Sequence, residues 1–182
     1  MSDQDVIPYE SVQVLVRALI SNTQSLYLTD HEQRVIDDLP SDMVLSILAD
    51  MFDTVDNDDI QARAYEAILR LTHVDHVVFL IDRLETNGSW RAAIGEDLTL
   101  FPDARSTPPL INVLLHDPDP DLRYVAADSL GAIGTVAALD ALEYAASHDD
   151  GEDYEMRRVA DMAREAIIRI RTRLLIEDDI GR

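Results

Sequence analysis

Leu115–Gly134, LHDPDPDLRYVAADSLGAIG, decides how the rest of the chain is read. Pro118 ends the helix that runs up to Asp117, because a proline pushes the residue before it out of the helical region and offers no N–H. A second helix starts at once. Asp119 is placed to cap it, Pro120 occupies the first helical position, and Asp121 favours the positive end of the helix dipole. Leu122, Val125, Ala126, Ala127, Leu130 and Ile133 then recur at helical spacing and give a broad apolar face of mostly small residues. Gly131 within that face implies close packing against a neighbouring helix, and Gly134 suits a left-handed stop.

The same spacing recurs elsewhere. Leu122, Ala126, Ala127, Leu130 and Ile133 stand at intervals 0, 4, 5, 8 and 11, and so do Ile60, Ala64, Tyr65, Ile68 and Leu71, and Trp90, Ile94, Gly95, Leu98 and Phe101. Successive copies are offset by 30 and 32 residues. An amphipathic helix lies between each pair, over 74–85 and 108–116, so the unit is a two-helix hairpin in a repeat array. Thr135 is read as the cap of a helix carrying Val136, Ala138, Leu139, Leu142 and Ala146. The acidic loop HDDGED follows, and a closing helix over about 154–176 fits the template from Val159 with Arg164 as its one departure. Its offset of 37 places the extra residues in that loop. Upstream, helices are read over 9–22 and 31–39, and Ser41 is read as the cap of the helix bearing Met43, Val44, Ile47, Leu48, Met51 and Phe52.

At 182 residues the chain buries a real core as one continuous array. An apolar fraction of 47% with mean hydropathy −0.09 indicates a folded soluble protein. No membrane-length apolar run and no secretory signal are read, so a cytoplasmic location is expected. There is no cysteine, and all 15 basic residues are arginines, which removes disulfides, thiol catalysis, the phosphate-loop lysine and Schiff-base chemistry. A net charge of −21 argues against nucleic acid, whose affinity comes from neutralising phosphates. Aspartate outnumbers glutamate 26 to 10, a bias of the kind produced by adaptation to high salt or simply by a GC-rich genome.

LLHDPDPDLRYVAADSLGAIG resembles the HEAT-like repeat of the type also found in phycobilin lyases: a leucine run, Asp-Pro-Asp-Pro, arginine, paired alanines and Leu-Gly-x-Ile-Gly. The resemblance is clearest over 108–147 and weaker over 41–101 and 154–176. It implies an all-α, right-handed superhelix of the HEAT/armadillo type with about four hairpins. The expected divisions are an N-terminal helical cap over 1–39, repeats over 40–177 and a short tail over 178–182. It also implies a binding surface along the second helices and a non-catalytic interaction or scaffold role with a protein partner. The alternatives are an accessory or lyase-like factor for a cofactor-bearing protein, and an immunity-type inhibitor of a basic toxin or nuclease.

No catalytic residue, metal or cofactor is assigned. Asp117, Asp119 and Asp121 alternate like a calcium loop, but Leu122 stands where that loop needs glycine, so they are read as cap and turn. His73 and His76 lack a third ligand. His31-Glu32 resembles one His-Glu step of a HEAT-repeat iron hydroxylase, which needs several. Arg123, Arg91 and Gln61 hold equivalent slots, and the arginines there are read as a ladder between repeats. Trp90 is read as core. Arg63, Glu66, Arg91, Tyr124, Asp128 and Arg158 are the expected partner-binding residues of the second helices. Arg157, Arg164 and Arg171, spaced by seven, are read as a basic stripe on the closing helix that either pairs internally or docks an acidic partner. Ile167, Ile170 and Leu174 form one apolar stripe of that helix while Ile168 and Leu175 lie beside it, which makes a homodimer through this end an expectation.

Overall fold

The computed structural model describes residues 8–22, 27–71, 74–86 and 88–180, apart from the side chains of 177–180. Among these the protein has ten α-helices and no strand: α1 (Tyr9–Ile20), α2 (Asp30–Asp37), α3 (Ser41–Thr54), α4 (Asp58–Arg70), α5 (His76–Leu84), α6 (Arg91–Asp97), α7 (Thr107–His116), α8 (Pro120–Ile133), α9 (Leu139–His148) and α10 (Val159–Ile180). The chain divides into two compact units, Met1–His76 and Val77–Arg182.

In the first unit α1 packs on α3 and α4, so the residues expected as a cap share a core with the first hairpin. Val12, Val16 and Ile20 of α1, Ile47, Leu48 and Met51 of α3, and Ala64 and Ile68 of α4 are buried there. α2 starts with a full capping box, in which Thr29 accepts from the Glu32 N–H and Glu32 accepts from the Thr29 N–H. Glu32 is thereby held below the usual carboxylate range, chiefly by that backbone hydrogen bond. His31-Glu32 is therefore a helix start. Ser41 is the first helical residue and caps nothing, whereas Asn57 caps α4 through the Ile60 N–H.

In the second unit α7 pairs with α8 and α9 with α10, and the hairpins stack so that α8 lies against both α6 and α10 while α7 lies against α9. First and second helices thus form separate layers, the arrangement of an α-solenoid. The alanine and glycine positions of the repeat allow this closeness. A Cβ on Gly95 would come 2.7 Å from Val125 Cγ1, and one on Gly131 would come 2.8 Å from Ala166 Cβ, so neither site admits a side chain without movement. Ser129 Oγ donates to Gly95 O at 2.7 Å across the α6–α8 contact. Asp119 caps α8 by accepting from the Asp121 N–H, Pro120 leads the helix, and Gly134 ends it at φ 76°.

Further sequence expectations change here. α6 stops at Asp97, short of Phe101, because Pro102 bars Phe101 from helical geometry, and Trp90 precedes the helix half-buried rather than sitting in the core. Thr135 makes no cap; its hydroxyl bonds Thr107 Oγ1 at 3.0 Å. α10 begins at Val159, five residues later than expected, because the preceding backbone is used otherwise. Asp153 N–H donates to Arg157 O at 3.0 Å and Val159 N–H to Gly151 O at 3.1 Å, closing a compact turn that a helix would break.

Candidate interaction surface

The arginine slot of the repeat is structural. Arg91 pairs with Asp117 at 2.7 Å, and Arg123 pairs with Asp149 at 2.8 Å, in each case an aspartate 26 positions downstream at the end of the next first helix. Each arginine also reaches back to the end of its own preceding helix: Arg91 Nε to Leu84 O at 2.8 Å and Arg123 Nη1 to Asp117 O at 2.9 Å. Gln61 does the same to Phe52 O at 3.0 Å. Burial works against the charge of Asp149, but the hydrogen bonds from Arg123 and from the Gly151 N–H outweigh it and hold the carboxyl below its ordinary range. Arg91, expected at a partner face, belongs to this ladder.

The other candidate residues separate into two groups. Arg63 is 1% exposed. Its guanidinium donates to Ile20 O, Leu19 O and Tyr27 O at 3.0–3.1 Å and lies 3.7 Å from Glu32, so it holds α4 to the chain leading into α2 and presents nothing to a partner. Glu66 lies partly buried beside Arg70 at 3.4 Å. The basic stripe does not form. Arg157 and Arg158 precede α10, and Arg157 pairs with Asp153 at 2.6 Å and with Glu155 at 3.0 Å. Arg164 pairs with Asp161, and Arg171 reaches Glu143 at 2.6 Å on the α9 side. Internal pairing thus accounts for Arg157, Arg164 and Arg171. His73 lies outside the described residues, and His76 Nε2 lies 3.0 Å from Ile68 O.

Tyr124, Asp128, Arg157 and Arg158 do come together on the second-helix layer. Tyr124 and Asp128 stand one turn apart on the same face of α8, and the turn 151–158 leans the Arg157 guanidinium over the Tyr124 ring at 4.3 Å. Burial, partly offset by Arg157, pushes the Tyr124 phenol up. The turn is organised around Asp153, which is buried. One of its oxygens accepts from the N–H groups of Glu155 and Arg157 at 3.0 and 2.8 Å, and the other accepts from Arg157 Nε at 2.7 Å. Burial raises the Asp153 pKa less than these bonds lower it, so the carboxyl is held below its usual range.

That turn projects two apolar side chains that composition and periodicity did not single out: Tyr154, 77% exposed, and Met156, 73% exposed with φ 64°. Their signal was present in the sequence as YEM inside an otherwise acidic insertion. Met156, together with Tyr124 and Met162, borders a groove of about 400 Å³ that also contacts Glu152, Arg158 and Glu165. A second recess of about 300 Å³, bordered by Asp128, Ile168 and Arg169, shares Glu165 with it. Ile167 and Ile170 of α10 are buried, while Ile168 and Leu175 are 64% and 70% exposed, the two stripes anticipated from sequence.

Among the described residues no set of three or more ligating side chains is grouped for a metal ion, and no helix is long and apolar enough to cross a membrane. Comparison with curated proteins finds no match to the chain. Residues 77–163 match the family model described as HEAT repeats, an interval that holds both arginine–aspartate rungs.

Proposed function

We propose that this chain is a non-catalytic interaction module that binds a protein partner on the second-helix face of its HEAT repeats, with Tyr124, Asp128, Arg157 and Arg158 in the contact. The observation that carries the reading is the groove lined by Tyr124, Met156, Met162, Arg157 and Arg158, in which Met156 stands exposed, with Ile168 exposed in the recess that shares Glu165 with it. Exposed aromatic, thioether and arginine side chains in one place are the composition of protein-binding patches. HEAT repeats commonly serve protein–protein contacts, and the repeat turns commit their carboxylates to helix caps and ion pairs. A cytoplasmic setting is part of the reading, and the absence of cysteine is compatible with it.

The test is affinity capture with the full chain from the cells that make it, comparing the wild type with Tyr124→Ala/Met162→Ala and with Val136→Ser. Val136 is exposed and lies away from the groove residues in sequence and in lining. A partner lost only with the groove variant supports the proposal, and one retained by all three proteins overturns it. Light scattering over a range of concentrations tests separately whether Ile168 and Leu175 join two copies; a monomer throughout removes that mode.

A further inference from the structure

We infer that the Tyr124–Met156–Met162 groove takes a basic protein segment, which seats an apolar side chain between the thioethers and brings lysine or arginine side chains to Glu152 and Glu165. The inference rests on the proposed binding role and names the chemistry of the partner.

Some of the charges in and beside the groove are already matched within the fold. Arg157 is neutralised by Asp153 and Glu155, and Asp161 by Arg164. In the adjoining recess Asp128 is matched by Arg169 at 2.7 Å. Glu152 and Glu165 both line the groove, both are exposed, and neither side chain has an ion pair or hydrogen bond among the described residues. Arg158 is the one cation of the lining in the same condition. The unmatched local charge is therefore negative, and the groove sits in a chain of net charge −21.

Such a field draws cationic partners in and repels phosphate backbones and acidic segments. Arg158 still has donors to offer, and main-chain carbonyl groups of the bound segment would satisfy them.

The apolar part of the groove sets the second requirement. Met156 is held outward on a left-handed backbone by the turn around the buried Asp153, so its exposure is built in by hydrogen bonds on both sides of it. Met162 on α10 also lines the groove. Two flexible, polarisable side chains accept apolar groups of varied shape. A purely polar basic segment would leave them uncovered, and a purely apolar one would leave Glu152 and Glu165 unmatched.

Three fluorescent peptides of one length and one apolar pattern, with lysine, glutamine or glutamate at the polar positions, test this on the full chain by anisotropy. The lysine peptide is expected to bind at least roughly tenfold more tightly than the glutamine peptide, and the glutamate peptide most weakly. Glu152→Gln/Glu165→Gln and, separately, Met156→Gly should each weaken the lysine peptide by roughly tenfold. Glycine suits the left-handed backbone at 156, so the second variant keeps its fold. Asp56→Asn/Glu85→Gln removes the same charge from exposed positions elsewhere and should change affinity by less than about twofold.

Equal losses from the two double variants, tighter binding of the glutamate peptide, or no binding of the lysine peptide would each overturn the inference. If the groove variant of the capture experiment still loses a cellular partner while the lysine peptide fails to bind, the binding role stands and only its chemistry is wrong.

Discussion

Arg123 and Asp149 are joined by two parallel N–H···O bonds, Nε to Oδ2 at 2.8 Å and Nη2 to Oδ1 at 3.0 Å, and the same guanidinium donates to the carbonyls of Asp117 and Pro118. One side chain thus ties the end of α7, the start of α8 and the end of α9. Removing it strands a largely buried carboxylate and two carbonyl groups, so Arg123→Ala should destabilise the fold by about 2–3 kcal/mol. Arg123→Lys should recover little, because an ammonium cannot make the forked contact. Urea midpoints followed by circular dichroism measure both. A lysine variant as stable as the wild type would show that charge alone holds the rung.

The pH dependence follows from the lowered pKa of Asp149. A carboxyl whose folded value lies below its unfolded one adds stability in full above the unfolded value, near about 3.9, and loses that contribution as pH falls through the folded value. At neutral pH, Asp149→Asn should therefore lower the unfolding midpoint. As pH drops below the ordinary carboxylate range, the wild type loses the same contribution, and the gap between the two proteins should close. Asp153 and Glu32 titrate alike in both proteins and cancel from the difference. Thermal midpoints at a series of pH values test this, and a gap that does not change with pH would mean that Asp149 acts through shape and not charge.

The fold was legible because its determinants are local and repeated. Pro118, Asp119, Pro120 and Gly134 each act within one turn of the backbone, and the spacing of Ala64, Ile94, Ala126 and Ala163 with Ile68, Leu98, Leu130 and Ile167 reports burial that the structure shows at all eight positions. The binding residues were less legible because polarity at a helical position does not say what lies opposite. Arg63 has the period of a second-helix surface residue, yet its neighbours from distant sequence are carbonyl groups, which make a buried guanidinium favourable. The reading of Arg157, Arg164 and Arg171 as one stripe failed for a different reason. It assumed that α10 begins early, and nothing in the local composition of GEDYEMRR reveals that Asp153 folds back to hold a turn there.

Gly131 gives a direct measure of how closely the repeats approach. An added Cβ would lie 2.8 Å from Ala166 Cβ and 2.9 Å from its Cα, and backbone in a packed helix cannot give way cheaply. Alanine gains roughly 1 kcal/mol of helix propensity over glycine, but overpacking of this kind costs about 1–3 kcal/mol. Gly131→Ala should accordingly be destabilising on balance. Gly88→Ala is the comparison, since nothing lies within 4 Å of a Cβ there, and it should be close to neutral. If both changes left the denaturation midpoint where it is, the α8–α10 contact would be looser than these distances.

Asp117, Asp119 and Asp121 separate the two readings of the repeat turn by experiment. Asp117 Oδ1 accepts from the Asp119 N–H and Asp119 Oδ1 from the Asp121 N–H, both at 3.0 Å, and Asp121 Oδ1 accepts from the Tyr154 N–H at 2.7 Å. Each carboxylate is engaged with the backbone, and the second contact caps α8. Asp119→Ala should cost about 1 kcal/mol, whereas Asp119→Asn, which keeps the accepting oxygen, should cost only a few tenths of that. A calcium loop predicts something else: asparagine would weaken cation binding, and millimolar calcium would raise the melting temperature of the wild type by mass action. Calorimetry of the three proteins with and without calcium decides between them. The cap reading requires a clear loss in the alanine variant, a much smaller one in the asparagine variant, and the same midpoints with and without the ion.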